Sequence, residues 1–146
     1  MQTDRRRFKR YPLELPVKFR IFLPSHPDAG SAFHSAQLHD LSQNGMRIVT
    51  NVVQSGSLHI FHPDPSANEQ SHLEIEIPDG DQTLTLTGKV VWYDRNPEED
   101  PYSFRVGIEF VDITSEEQKR IQSLIKRAVS TPPTPSSGES SLPSSD

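Results

Sequence analysis

The chain has 146 residues, no cysteine and a formal net charge of −5. That length suits one domain with an ordinary core, and the lack of cysteine excludes disulfides and thiolate zinc sites. The acidity argues against a general nucleic-acid binder, so no DNA or RNA partner is expected, and no apolar run approaches the ~20 residues of a membrane span.

The N-terminus is charged from Asp4 onward and lacks the apolar core of a signal peptide, so the expected location is the cytoplasm. Residues 1–11 read as a flexible basic arm, because five of the fifteen Lys and Arg residues fall between Arg5 and Arg10. Pro12 and Pro16 then keep the backbone extended. Leu15 to Leu23 alternates, with Leu15, Val17, Phe19, Ile21 and Leu23 on one face, which predicts a half-buried strand. A loop follows, then a weaker strand from Ala32 to Leu38, the polar turn Asp40-Leu41-Ser42-Gln43-Asn44-Gly45, and a third strand from Gly45 to Thr50.

Leu58 to Phe61 reads as a short strand before a polar insertion from His62 to Ser71. Leu73, Ile75 and Ile77 alternate with Glu74 and Glu76 up to a turn at Pro78 to Asp81. Leu84, Leu86, Val90 and Trp92 share a parity, with a bulge or a close backbone approach expected at Gly88. Phe104, Val106, Ile108 and Phe110 form the last strand. Trp92, Phe104 and Phe110 read as core residues and not as stacking platforms.

Residues 114–130 read as the one convincing helix, with Ser115 and Gln118 in the form of a capping box. Ile121, Leu124, Ile125, Ala128 and Val129 fall on one stripe. Residues 131–146, rich in Pro and Ser, read as a disordered tail. The fold class expected is mainly β, a small antiparallel barrel over residues 12–113 with a C-terminal helix against it.

Two stretches carry chemistry. The guanidinium groups of the arm can chelate a phosphate or pair with O6 and N7 of guanine. Asp40 offers a carboxylate to the donor edge of guanine (N1 and the 2-amino group), Ser42 adds a hydroxyl, and Gly45 allows either a positive φ or a close approach to a ligand. The competing reading is an ordinary turn in which Asp40 and Ser42 bond their own backbone, beside a solvated charge run. Six His residues invite a metal, but His59 and His62, three apart on a strand, point to opposite faces, so no metal is expected. No nucleophile elbow, phosphate-cradling glycine loop or carboxylate pair suggests an enzyme.

Arg6-Arg7-Phe8-Lys9-Arg10 resembles the RxxxR motif of the PilZ domain, and Asp40-Leu41-Ser42-Gln43-Asn44-Gly45 resembles its [D/N]xSxxG motif. Arg105 to Phe110 is similar to that family's last barrel strand, and Gly88 to Trp92 to its penultimate one. The resemblance implies a six-stranded barrel that binds the bacterial second messenger cyclic di-GMP, with no cofactor. It implies that Arg6 and Arg10 hold guanine and phosphate, that Asp40, Ser42 and Gly45 surround a guanine, and that Gly107 faces the ligand. Arg5, just before the motif, resembles the residue of members that bind a stacked pair of ligands. The expected output is a change of shape read by an unidentified downstream protein. The alternatives are a ligand-independent adaptor with the same barrel, and a single-strand nucleic-acid binder.

Overall fold

Alternation of apolar and polar residues carries the chain into six long strands, because a pleated backbone sends successive side chains to opposite faces. The computed structural model describes residues 9–63, 68–97 and 101–130. Strands β1 (Tyr11–Phe22), β2 (His34–Leu41) and β3 (Gly45–Thr50) are followed by the two-residue strands β4 (Gln54–Ser55) and β5 (Leu58–His59). Then come β6 (His72–Asp79), β7 (Gln82–Arg95), β8 (Phe104–Phe110) and the helix α1 (Ser115–Ser130).

The six long strands close an antiparallel barrel in the order β1-β2-β3-β8-β7-β6, while β4 and β5 pair only with each other. The mainly β fold with one C-terminal helix is therefore the one the sequence implies. Val17, Phe19, Ile21, Leu38, Ile48 and Ile75 point into the barrel and are almost wholly buried. The first strand begins at Tyr11, one residue inside the stretch assigned to the arm, and the second runs from His34 through Asp40 and Leu41. Asp40 therefore stands on a strand and not in the turn. The arm up to residue 8 and the tail from residue 131 lie outside the described residues, as does residue 64–67 of the insertion.

Helix α1 buries Ile121, Leu124 and Ile125 against the barrel. Each such side chain contributes about 1.5–3 kcal/mol when fully withdrawn from water. The capping box lies one residue earlier than Ser115 and Gln118 suggest. Thr114 Oγ1 accepts from the Glu117 amide at 3.1 Å, and Glu117 Oε1 accepts from the Thr114 amide at 3.0 Å. Asp79, at the end of β6, ties the helix down by accepting from Arg120 Nη2 at 3.0 Å and from Arg127. The Arg127 hydrogen bond is the main reason the Asp79 carboxyl sits below its usual range; burial opposes it and Arg120 reinforces it.

Candidate functional site

The barrel wall carries three irregularities, one in β1 between Pro12 and Leu15 and two more that turn functional side chains outward. In β2 the pairing with β3 runs Leu38↔Ile48 and then Asp40↔Arg47, so His39 is an extra residue. In β7 the pairing with β8 runs Val90↔Ile108 and then Trp92↔Gly107, so Val91 is extra. One inserted residue turns every following side chain to the other face of the sheet. Asp40 and Trp92, which share the parity of core residues in the sequence, are thereby turned outward. Leu41, next to Asp40, takes the inward position instead and is fully buried.

The outcome is a row of residues across five neighbouring strands: Pro12 opposite Asp40, Asp40 opposite Arg47, Arg47 opposite Gly107, and Gly107 opposite Trp92. Met46 and Ile48 flank Arg47 and point into the core, so the row lies on the outer wall. A cavity of about 350 Å³ opens above it, lined by Arg10, Pro12, His39, Asp40, Arg47 and Trp92.

Electrostatics dominate this cavity. The Asp40 carboxylate, 7% exposed as a residue, accepts from Arg10 Nη1 through Oδ1 and meets Arg47 Nη2 through Oδ2, both at 2.9 Å. Two guanidinium groups thus share one carboxylate, which leaves a surplus positive charge at the cavity. Arg47 Nε is buried and has no hydrogen-bond partner among the described residues. Charge-assisted donors of this kind suit an anion or a base edge rich in acceptors.

The residues singled out from sequence separate into three groups. Arg10 and Asp40 are brought together in the cavity. Ser42 and Gly45 shape the turn instead. Ser42 Oγ is buried, donates to Asn44 Oδ1 at 2.7 Å and accepts from the Asn44 amide at 3.3 Å. Gly45 does not adopt a positive φ. A Cβ there would collide with the carbonyl group of Ile108, its carbon lying at 3.3 Å, so Gly45 permits a close approach of β3 to β8. Gly107 is likewise covered: a Cβ would fall against the indole of Trp92, 2.8 Å from Cδ1 and nearer still to Nε1 and Cε2. Arg5 and Arg6 lie outside the described residues.

Arg47, Trp92 and His39 are cavity residues that sequence reasoning missed, and Trp92 is not a core residue. The signal for Arg47 was present, since it is the one polar position between Met46 and Ile48. At Gly88 the pairing stays in register, and a Cβ would press on Ile108, so the close approach is real while the bulge lies at Val91. His59 and His62 do meet, with ring centroids 4.6 Å apart, because the strand ends at His59. His59 Nδ1 accepts from the amides of Phe61 and His62, which leaves no lone pair at that nitrogen for a metal. Burial first, and His62 second, hold the His59 pKa below its ordinary value.

A family model described as the PilZ domain matches residues 4–127. The chain belongs to the PilZ domain family. A search of curated proteins returns no match. Among solved structures, this PilZ chain is similar to the PilZ domain of YcgR from Escherichia coli, whose structure contains c-di-GMP. The identity is 16%, the TM-score 0.59, and the match covers 86% of this chain and 92% of that one. It is also similar to the Bacillus subtilis inhibitor of motility MotI, at 16% identity and a TM-score of 0.58, over 90% of this chain and 55% of that one. The K. pneumonia MrkH–c-di-GMP complex matches at 13% identity and a TM-score of 0.57, over 87% and 53%. The chain spans about half the length of MotI and MrkH. No helix among its described residues is long and apolar enough to cross a membrane.

Proposed function

We propose that this PilZ chain is a cyclic di-GMP receptor that binds its ligand on the outer wall of the barrel and acts through a protein partner, without catalysis. The observation that carries the reading is the pair of guanidinium groups on one buried carboxylate, with Arg47 Nε left unbonded, beside an indole in the same cavity. Arg10 and Arg47 supply donors for phosphate oxygens and for O6 and N7 of guanine. Asp40 accepts from the guanine N1 and 2-amino groups. Trp92 offers a flat face on which a base stacks. Arg5 and Arg6 add charge from the arm, while Ser42, Gly45 and Gly107 hold the strands that present the site. The cavity volume lies within the range of small-molecule sites, about 300–1,000 Å³.

Binding of a dianionic ligand neutralises the clustered arginines, which alters the surface offered to a partner. The chain has one tryptophan, Trp92, so its fluorescence reports on this cavity alone. Calorimetry and fluorescence titration with cyclic di-GMP are expected to give saturable binding at tens of micromolar or tighter. Arg10→Ala and Arg47→Ala are each expected to weaken it by about tenfold or more, the loss of one charge-assisted bond. No heat and no fluorescence change at that concentration would sink the reading. Capture of the same partner with and without ligand would favour a ligand-independent adaptor.

A further inference from the structure

We infer that Asp40 is a built-in counter-ion that excludes anions lacking N–H donors, so that the site selects its ligand by exchange of partners and not by added contacts alone. The inference rests on the reading of this cavity as a cyclic dinucleotide site, and it assigns the origin of the selectivity. Both carboxylate oxygens of Asp40 are already engaged, Oδ1 by Arg10 and Oδ2 by Arg47, each at 2.9 Å. The carboxylate is withdrawn from solvent, with its side chain 10% exposed, and the charge it carries is therefore weakly screened.

An incoming phosphate needs the same two guanidinium groups. It must either share them with Asp40, placing two negative groups side by side in a partly dry cavity, or pull them away. Pulling them away leaves a buried carboxylate without donors, which is strongly unfavourable. A ligand whose anionic group is joined to a base with two adjacent N–H donors escapes this. The arginines turn to the phosphate, and the base donors take their place on Asp40. Guanine has such an edge in N1–H and the 2-amino group. Adenine lacks N1–H and the 2-amino group, and inorganic pyrophosphate has no base at all. Asp40 is thus a specificity determinant that acts against the wrong ligand as well as for the right one.

The two roles of Asp40 are separable. If it is only a guanine acceptor, neutralising it weakens guanine ligands and leaves other anions unaffected. If it is also the counter-ion, neutralising it frees Arg10 and Arg47 and strengthens binding of every donor-poor anion. The test is calorimetry on the full chain and on Asp40→Asn at one fixed ionic strength, with cyclic di-GMP, cyclic di-AMP and inorganic pyrophosphate as probes. Asp40→Ala serves as a second variant, and circular dichroism verifies that both keep the barrel.

In the unaltered chain, cyclic di-GMP is expected to bind at least about a hundredfold more tightly than cyclic di-AMP, the worth of two exchanged bonds. In both variants cyclic di-AMP and pyrophosphate are expected to bind about tenfold more tightly than in the unaltered chain, while cyclic di-GMP weakens. Unchanged or weaker binding of cyclic di-AMP and pyrophosphate in the variants would overturn the inference, even if cyclic di-GMP binding falls. Failure of the receptor reading is a different result: the unaltered chain then binds no cyclic di-GMP, while a gain for pyrophosphate in Asp40→Asn still supports the counter-ion role.

Discussion

Gly107 is the point at which barrel packing and the cavity are coupled, and Gly107→Ala tests that coupling. A methyl group at this position would lie 2.8 Å from Trp92 Cδ1 and closer to Nε1 and Cε2, where ordinary carbon contacts need about 3.5–4.0 Å. The ring must therefore retreat by an ångström or more. Gly107 and Arg47 are paired across β3 and β8, and the strand backbone on either side is held by the ladder, so the indole is the part free to yield. Overpacking of this kind costs about 1–3 kcal/mol. Urea unfolding followed by circular dichroism is expected to show that loss, and the Trp92 emission is expected to shift to longer wavelength as the ring swings into water. Affinity for cyclic di-GMP is expected to fall by about tenfold, because the base loses a stacking face in register with Arg47. An Ala variant with the parent's emission, stability and affinity would refute the argument that Gly107 exists to seat the indole.

Asp79 is expected to hold the helix in a pH-dependent way. Its folded carboxyl pKa is depressed, first by Arg127, so its contribution is present above the unfolded value near 3.8 and is lost as pH falls through the folded one. Asp79→Asn should lower stability by about 1–2 kcal/mol at pH 7, read from urea midpoints, and should flatten the acid limb of the profile. His59 works in the same direction at higher pH. Its folded pKa is also lowered, so the neutral ring is favoured in the fold, and protonation begins to destabilise the chain as pH drops below about 6.5. Urea midpoints at pH 7.5 and 5.5 should therefore differ more in the parent than in His59→Asn. Thr114→Ala should lose about 0.5–2 kcal/mol through the missing N-cap, whereas Ser115→Ala should change little, and equal losses would return the cap to Ser115.

The barrel was readable from the chain because its core strands alternate almost without interruption. Leu73, Ile75 and Ile77 in β6, and Val106 and Ile108 in β8, announce their inward face at two-residue spacing. Half of the site was readable for a different reason: Arg10 and Asp40 belong to short motifs whose residue types declare their chemistry. Trp92 was not, and the cause is local. Period-two reasoning assumes an unbroken pleat, so it assigned Trp92 to the core with Leu84 and Val90.

The bulges at His39 and Val91 break that assumption, and nothing in the composition of either strand marks them. Their effect on the wall is nevertheless specific. Without the extra residue in β2, Asp40 would follow Ala36 and Leu38 into an apolar interior, where a carboxylate cannot stay charged cheaply. Without the extra residue in β7, the indole would compete for core volume already filled by Ile108 and its neighbours. Each bulge therefore relieves a local conflict and, in doing so, delivers one functional group to the same outward row. Arg47 and Gly107 stand between them on strands that keep a perfect register from Gly45 to Thr50. The irregular strands supply the carboxylate and the ring, and the regular pair between them fixes their spacing. A shift of register in β3 or β8 would dismantle the row without changing a single residue that lines the cavity.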